Sequence, residues 1–226
     1  LALSLAWWAV FGTGLLATQS NSCHAEVRSR PELAQPDLQV YFNPVRVDAK
    51  PWFPGIGRRQ EHRLSAVACL VQPQSRGWME LRSADPLAKP RITLNLFAER
   101  ADVEAMIHSV EMMRELYATP PLGDLVAREV LPGPEVQGRN GIEQWLRENL
   151  LVTHHSVGTC AMGHGEQSVV DPQLRVHGIE GLRVCDASIM PTVPGGNTNA
   201  PSIMVGEKAS DLILGKSLPP ADLPSA

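Results

Sequence analysis

Apolar and polar residues alternate along PDLQVYFNPVRVD (36–48), with Leu38, Val40 and Phe42 set against Asp37, Gln39 and Asn43. A period of two predicts a half-buried strand. HRLSAVACLVQP (62–73) has a continuous apolar middle, which predicts a second strand buried on both faces. A turn at 75–77 then leads into a short strand at 78–82, expected to pair antiparallel with the preceding strand. KPRITLNLF (89–97) alternates again.

The period changes to that of a helix at 101–118. Val103, Met106, Ile107, Val110, Met113 and Leu116 fall at i, i+3, i+4, i+7 spacing, and His108 lies off that stripe as a solvated or partly packed histidine. A second helix is predicted over 141–152, with Ile142, Trp145, Leu146 and Leu150 on one face. LRVCDASIMP (182–191) reads as a short strand running into a turn. PSIMVGEKASDLILG (201–215) reads as a closing helix with Pro201 in its first turn and Gly215 at its end. The remaining tail, 216–226, is expected to be disordered. The opening run LALSLAWWAVFGTGLLA predicts a buried helix and turn, a targeting or membrane segment being the alternative. The order strands, helix, helix, strand, helix is that of an α+β fold, an antiparallel sheet carrying helices.

Composition narrows the function. The 226 residues are 43% hydrophobic and 19% charged, enough for a packed core. A net charge of −4 provides no basic stripe for phosphates and argues against a nucleic-acid partner. Glycines interrupt the apolar opening run, so membrane association is not expected. Four well-separated cysteines, Cys23, Cys69, Cys160 and Cys185, fit a reduced, cytoplasmic setting. The chain opens on Leu1 rather than Met, as expected of a piece cut from something longer.

The densest chemistry is HHSVGTCAMG (154–163). His154, His155, Cys160, His164 and His177 contain metal-ligand residue types, but their spacing is adjacent or irregular and no acidic cluster supports them, so no metal is expected. Cys160 as a nucleophile with His155 as its base needs an activated thiolate and an orienting third group; its apolar neighbours favour an inert thiol. There is no G-x-G-x-x-G after a strand, no Walker A loop and no H-E-x-x-H.

Distant blocks change this picture. H-S-V-G-T-C-A-M-G (155–163), V-D-P-Q-L-R-V-H-G (170–178), G-L-R-V-C-D-A-S-I-M-P (181–191) and N-T-N-A-P (197–201) precede the closing helix in that order. Together they resemble the C-terminal signature of the glucose–methanol–choline oxidoreductases, FAD-dependent alcohol dehydrogenases and oxidases, and are closest to choline-dehydrogenase-like members. SRGWMELRSADPLAKPRI (75–92) and PDLQVYF (36–42) resemble the family's substrate-domain sheet, so the likeness covers nearly the whole chain. Ser156 stands where the family usually has proline. Residues 18–31 depart from the family pattern on the side that faces substrate in relatives.

The resemblance implies a division of the chain and a set of roles. Residues 1–35 would be a partial linker or substrate-cap segment. Residues 36–154 would form the substrate-binding domain. Residues 155–215 would hold the catalytic segment and the last strand and helix of an incomplete, Rossmann-like FAD-binding domain. The family's N-terminal half, which cradles the FAD pyrophosphate, would then lie outside these 226 residues. His155 would take the hydroxyl proton of a small-molecule alcohol, an imidazole being suited to that task near neutral pH. Asn197, eleven residues before Lys208, would orient the alcohol oxygen; Asn199 is the alternative, or a helix cap. Asp186, Ala187, Thr198 and Asn199 would contact the flavin, and the positive end of the closing helix would face its oxygen-rich edge. His154 would be at the surface or behind the site. The competing expectation is a truncated, non-catalytic chain, or a subunit that acts only with a partner supplying the nucleotide-binding half.

Overall fold

The computed structural model describes residues 2–14, 17, 23–44 and 61–216. The described chain is α+β. It divides into two compact units, each built from two separate stretches of sequence: Leu1–Leu70 with Glu99–Leu150, and Val71–Ala98 with Leu151–Ala226. Of the expected tail at 216–226, all but Lys216 lies outside the described residues, and so does part of 1–35.

In the first unit, β1 (Cys23–Val27), β2 (Leu38–Asn43) and β3 (Ser65–Leu70) form an antiparallel sheet in the order β1-β2-β3. The continuous burial expected of 62–73 falls on β2 instead. Leu38 and Val40 are fully buried and Gln39 and Asn43 nearly so, whereas β3 is only half-buried. β2 is the central strand and is covered on both flanks; β3 has one strand neighbour in the described sheet. Burial still pushes the Cys69 thiol on β3 above its ordinary pKa. β1 has no counterpart in the hydrophobic pattern, because CHAEV offers too few apolar residues to show a period.

Three α-helices complete this unit. α1 (Ala2–Phe11) forms as expected from its alanines and leucines, and its end is marked by Gly12 at φ +64. Its expected burial is not seen: Leu3, Trp7, Trp8, Val10 and Phe11 are all exposed. α2 (Arg100–Ala118) buries Val103, Met106 and Ile107, but the stripe fades to half-buried Val110 and Met113 and exposed Leu116. α3 (Gly138–Asn149) begins three residues before its apolar pattern does and buries Ile142 and Leu146. α2 packs on β3 and α3. Along the exposed sides of α2 and α3, Arg100 pairs with Glu104 and Glu143, Arg139 with Glu104 and Glu111, and Arg147 with Glu143.

In the second unit, β4 (Trp78–Glu80) pairs antiparallel with β5 (Arg91–Thr93), not with the preceding strand as expected. Gly77 explains the partner. A Cβ there would sit 2.2 Å from the Thr93 carbonyl oxygen, so only glycine lets the start of β4 lie this close to the end of β5. Residues 158–190 form short bridged turns rather than a ladder. The strand expected at 182–191 is reduced to a single bridge, Arg175 with Arg183, followed by a 3-10 turn at Ala187–Ile189. α4 (Asn199–Ile213) closes the unit. Its Val205 and Ala209 pack with Val170, Leu174 and Ile189 in a core flanked by Met162, Val184 and Leu212.

Candidate active site

The site is built on that core, within the second unit. The segment after His155 is held by its backbone. Gly158 and Cys160 both donate their amides to the Ser188 carbonyl, at 3.1 and 3.0 Å, and Met162 donates to the Ile189 carbonyl at 2.8 Å. On its other side, Val169 donates to the Ala161 carbonyl and Gly163 to that of Val170, both at 2.9 Å. The peptide run 158–163 is thus pinned between two turns, and His155 sits just before the pinned part.

Asp186 organises the first of those turns. Its carboxylate accepts the Ser188 amide at 2.8 Å and starts the 3-10 turn that includes Ala187. Hydrogen bonds from the Ser188 side chain and amide hold the Asp186 carboxyl below the usual carboxylate range. Asp171 does the same for the second turn, accepting the amides of Gln173 (2.8 Å) and Arg175 (2.9 Å) and the Arg175 Nε–H (2.8 Å). Partial desolvation alone would raise the Asp171 carboxyl. The bonds from Arg175 and Gln173 outweigh it and leave it low.

His155 is half-buried and meets the loop before α4. Its Nδ1 lies 2.9 Å from Thr198 Oγ1, and the Thr198 amide donates to the same nitrogen at 3.3 Å. Thr198 is only 7% exposed. The structure therefore joins the His155 segment to the N-T-N loop at Thr198, with Asn197 and Asn199, both exposed, on either side of it. Thr198 is the N-cap of α4, and its carbonyl accepts the amide and the hydroxyl of Ser202, at 2.9 and 2.6 Å.

The other residues of the histidine-rich stretch separate from the site. His154 is exposed at φ +61. His177 Nε2 contacts the Gly163 carbonyl oxygen at 3.1 Å and serves the turn beneath. Among the described residues no three His, Cys, Asp or Glu side chains come together as a metal site. All four cysteines are free thiols. Cys160 is half-buried, its backbone tied to Ser188.

The fit of a flavin can be judged from the donors present. Gly195 has φ +75 and a Cβ on Gly196 would meet nothing within 4 Å, so the backbone of this loop is open to a planar group. Asn199 and Ala200, in the first turn of α4, are exposed at the positive end of the helix. These residues fit one polar edge of a flavin ring.

With this site on an α+β frame, the GMC oxidoreductase profile matches residues 73–206, and the chain belongs to that family. Over 213 residues it is 41% identical to the oxygen-dependent choline dehydrogenase of Rhizobium rhizogenes, a match covering 93% of this chain and 38% of that protein. Over 209 residues it is 37% identical to the enzyme of the same name from Chromohalobacter salexigens, covering 92% of this chain and 37% of that one. The chain thus spans well under half the length of these relatives. Among solved structures it resembles a formate oxidase from Aspergillus oryzae described for FAD modification (TM-score 0.70, 32% identity, 81% of this chain and 32% of that one). It shares its fold with pyridoxine 4-oxidase from Mesorbium loti (TM-score 0.75, 23% identity, 88% of this chain and 39% of that one).

Proposed function

We propose that this chain is the C-terminal, catalytic part of an FAD-dependent alcohol dehydrogenase or oxidase, acting on a small alcohol of the choline type. The observation that carries the reading is the contact of His155 with the N-T-N loop at the start of α4. It brings His155 onto the residue between Asn197 and Asn199, at the N-terminus of α4. The bound flavin, when present, supplies the hydride acceptor.

The chain's own residues do the rest. His155 Nε2 takes the hydroxyl proton. Asn197 donates to the alcohol oxygen and sets the carbon's orientation. The first turn of α4, with Thr198 and Asn199, and the turn at Asp186 and Ala187 line the flavin edge, where the helix dipole favours negative charge. Residues 155–215 are then the catalytic segment and the end of the FAD domain, and 36–154 the substrate-binding part, with 1–35 as a cap. Because 71–98 clusters with the second compact unit, this functional division does not follow the units. Four free thiols fit a cytoplasmic setting. Among the described residues no helix is long and apolar enough to cross a membrane.

The test is turnover of an alcohol panel that includes choline, using full-length, flavin-loaded protein. His155→Gln should lower the rate by about 10²–10⁴-fold. Near-normal turnover of that variant overturns the assignment. The 226-residue chain by itself should purify colourless and gain no flavin absorbance with added FAD.

A further inference from the structure

The two Thr198 groups that meet His155 ask opposite things of it. A backbone N–H can only donate, so the amide at 3.3 Å requires a bare Nδ1 and places the neutral ring's hydrogen on Nε2. A hydroxyl can donate or accept. At 2.9 Å, Oγ1 is the shorter contact, and it can equally take a hydrogen from Nδ1. For Nε2 to receive a proton from an alcohol it must be bare, which means Nδ1–H donating to Oγ1.

The sequence leaves this hydroxyl available. An N-cap threonine ordinarily uses its oxygen to accept the amide of the second or third helical residue. Here the third residue of α4 is Pro201, which has no N–H, and Thr198 makes no side-chain cap bond. Ser202 meanwhile anchors the Thr198 carbonyl with two donors. The residue is nearly buried, so water does not readily replace its hydroxyl at the ring.

We infer that Thr198 is a positioning residue that selects the tautomer of His155: its shorter hydroxyl contact takes the ring's hydrogen from Nδ1 in place of the longer amide contact, so that Nε2 is free to accept the alcohol proton. This rests on the general-base reading above. On proton transfer the alcohol's hydrogen moves to Nε2 and the resulting imidazolium keeps Nδ1–H on Oγ1, so the proton count closes on the ring.

The experiment uses full-length, flavin-loaded protein with ¹⁵N-labelled histidine rings, the His155 signals being identified by their loss in His155→Gln. The expected result is an Nδ1–H signature for His155 in the native protein and an Nε2–H signature in Thr198→Val. Thr198→Ser should restore the native signature. Turnover should fall about 10- to 100-fold in Thr198→Val with KM held within about threefold, a smaller loss than the roughly 10²–10⁴-fold of removing the base itself, and Thr198→Ser should stay within about threefold of native. If Thr198→Val does not fold, Thr198→Ala carries the same expectation. Unchanged ring signals in the valine or alanine variant overturn the proposal, as does a serine variant that loses both signature and rate. Near-normal turnover of His155→Gln would instead remove the general-base reading and leave the ring signals to be judged alone.

Discussion

Asp186 and Ser188 form a closed turn: the carboxylate accepts the Ser188 amide at 2.8 Å, and the Ser188 carbonyl in turn accepts the amides of Gly158 and Cys160. A surface carboxylate thereby supports the peptide run that follows His155. Asp186→Ala should lower the urea midpoint by an amount matching about 0.5–2 kcal/mol, the range for losing a cap. No change in the midpoint would show that the turn holds without its carboxylate.

The same turn gives a pH dependence with a definite sign. The Asp186 and Asp171 carboxyls sit below their ordinary range when folded. Their contribution is complete above the unfolded carboxylate pKa of about 3.9 and is lost as pH falls through the lower folded values. Stability should fall on acidification below about pH 4, and the double variant Asp171→Asn, Asp186→Asn should flatten that limb. Denaturant titrations across the acid range measure it, and an unchanged slope in the double variant argues against the assignment.

The core beneath the site should be sensitive to truncation. Ile189 is 4% exposed and packs with Val170, Leu174 and Val205. Ile189→Ala should cost about 2–5 kcal/mol, read from chemical denaturation. A loss under 1 kcal/mol, on the order of a surface change, would mean that this cluster does not hold the turn.

Ionic strength should act on the first unit. The Arg100, Arg139 and Arg147 pairs with Glu104, Glu111 and Glu143 lie on exposed helix faces, where salt screens charges. Raising salt should lower the thermal midpoint of the native protein more than that of Glu143→Gln. Equal salt responses would show that the lattice adds nothing.

Thiol reactivity should rank the cysteines. Cys23 is exposed on β1, whereas Cys69 is half-buried on β3 with its thiol pKa raised by burial. A maleimide or iodoacetamide time course near neutral pH should modify Cys23 well before Cys69. Faster labelling of Cys69 would contradict the placement of β3.

The strongly periodic elements were legible in the hydrophobic pattern. α2, α3, α4 and β2 lie where the spacing predicts them, because each buries one face or is covered on both. The misses have physical causes. CHAEV is too polar to announce β1, which forms by pairing with β2. The partner of β4 is decided by a close approach at Gly77, which no hydrophobic period encodes. The exposure of Trp7 and Trp8 runs against the rule that apolar runs are inside. At the candidate site, the ordered motif blocks link His155 with a loop more than forty residues away. The contact with Thr198 is invisible in sequence. It rests on a ring nitrogen lying within reach of the threonine hydroxyl.

The interleaving of the two units has a consequence for biosynthesis. Each unit needs a stretch that is made after part of the other: Glu99–Leu150 completes the first and Leu151–Ala226 the second. During translation the sheet of β1, β2 and β3 therefore waits for α2 and α3 to emerge, and β4–β5 waits for the C-terminal stretch. A chain ended before Thr198 carries His155 without the residue its ring contacts.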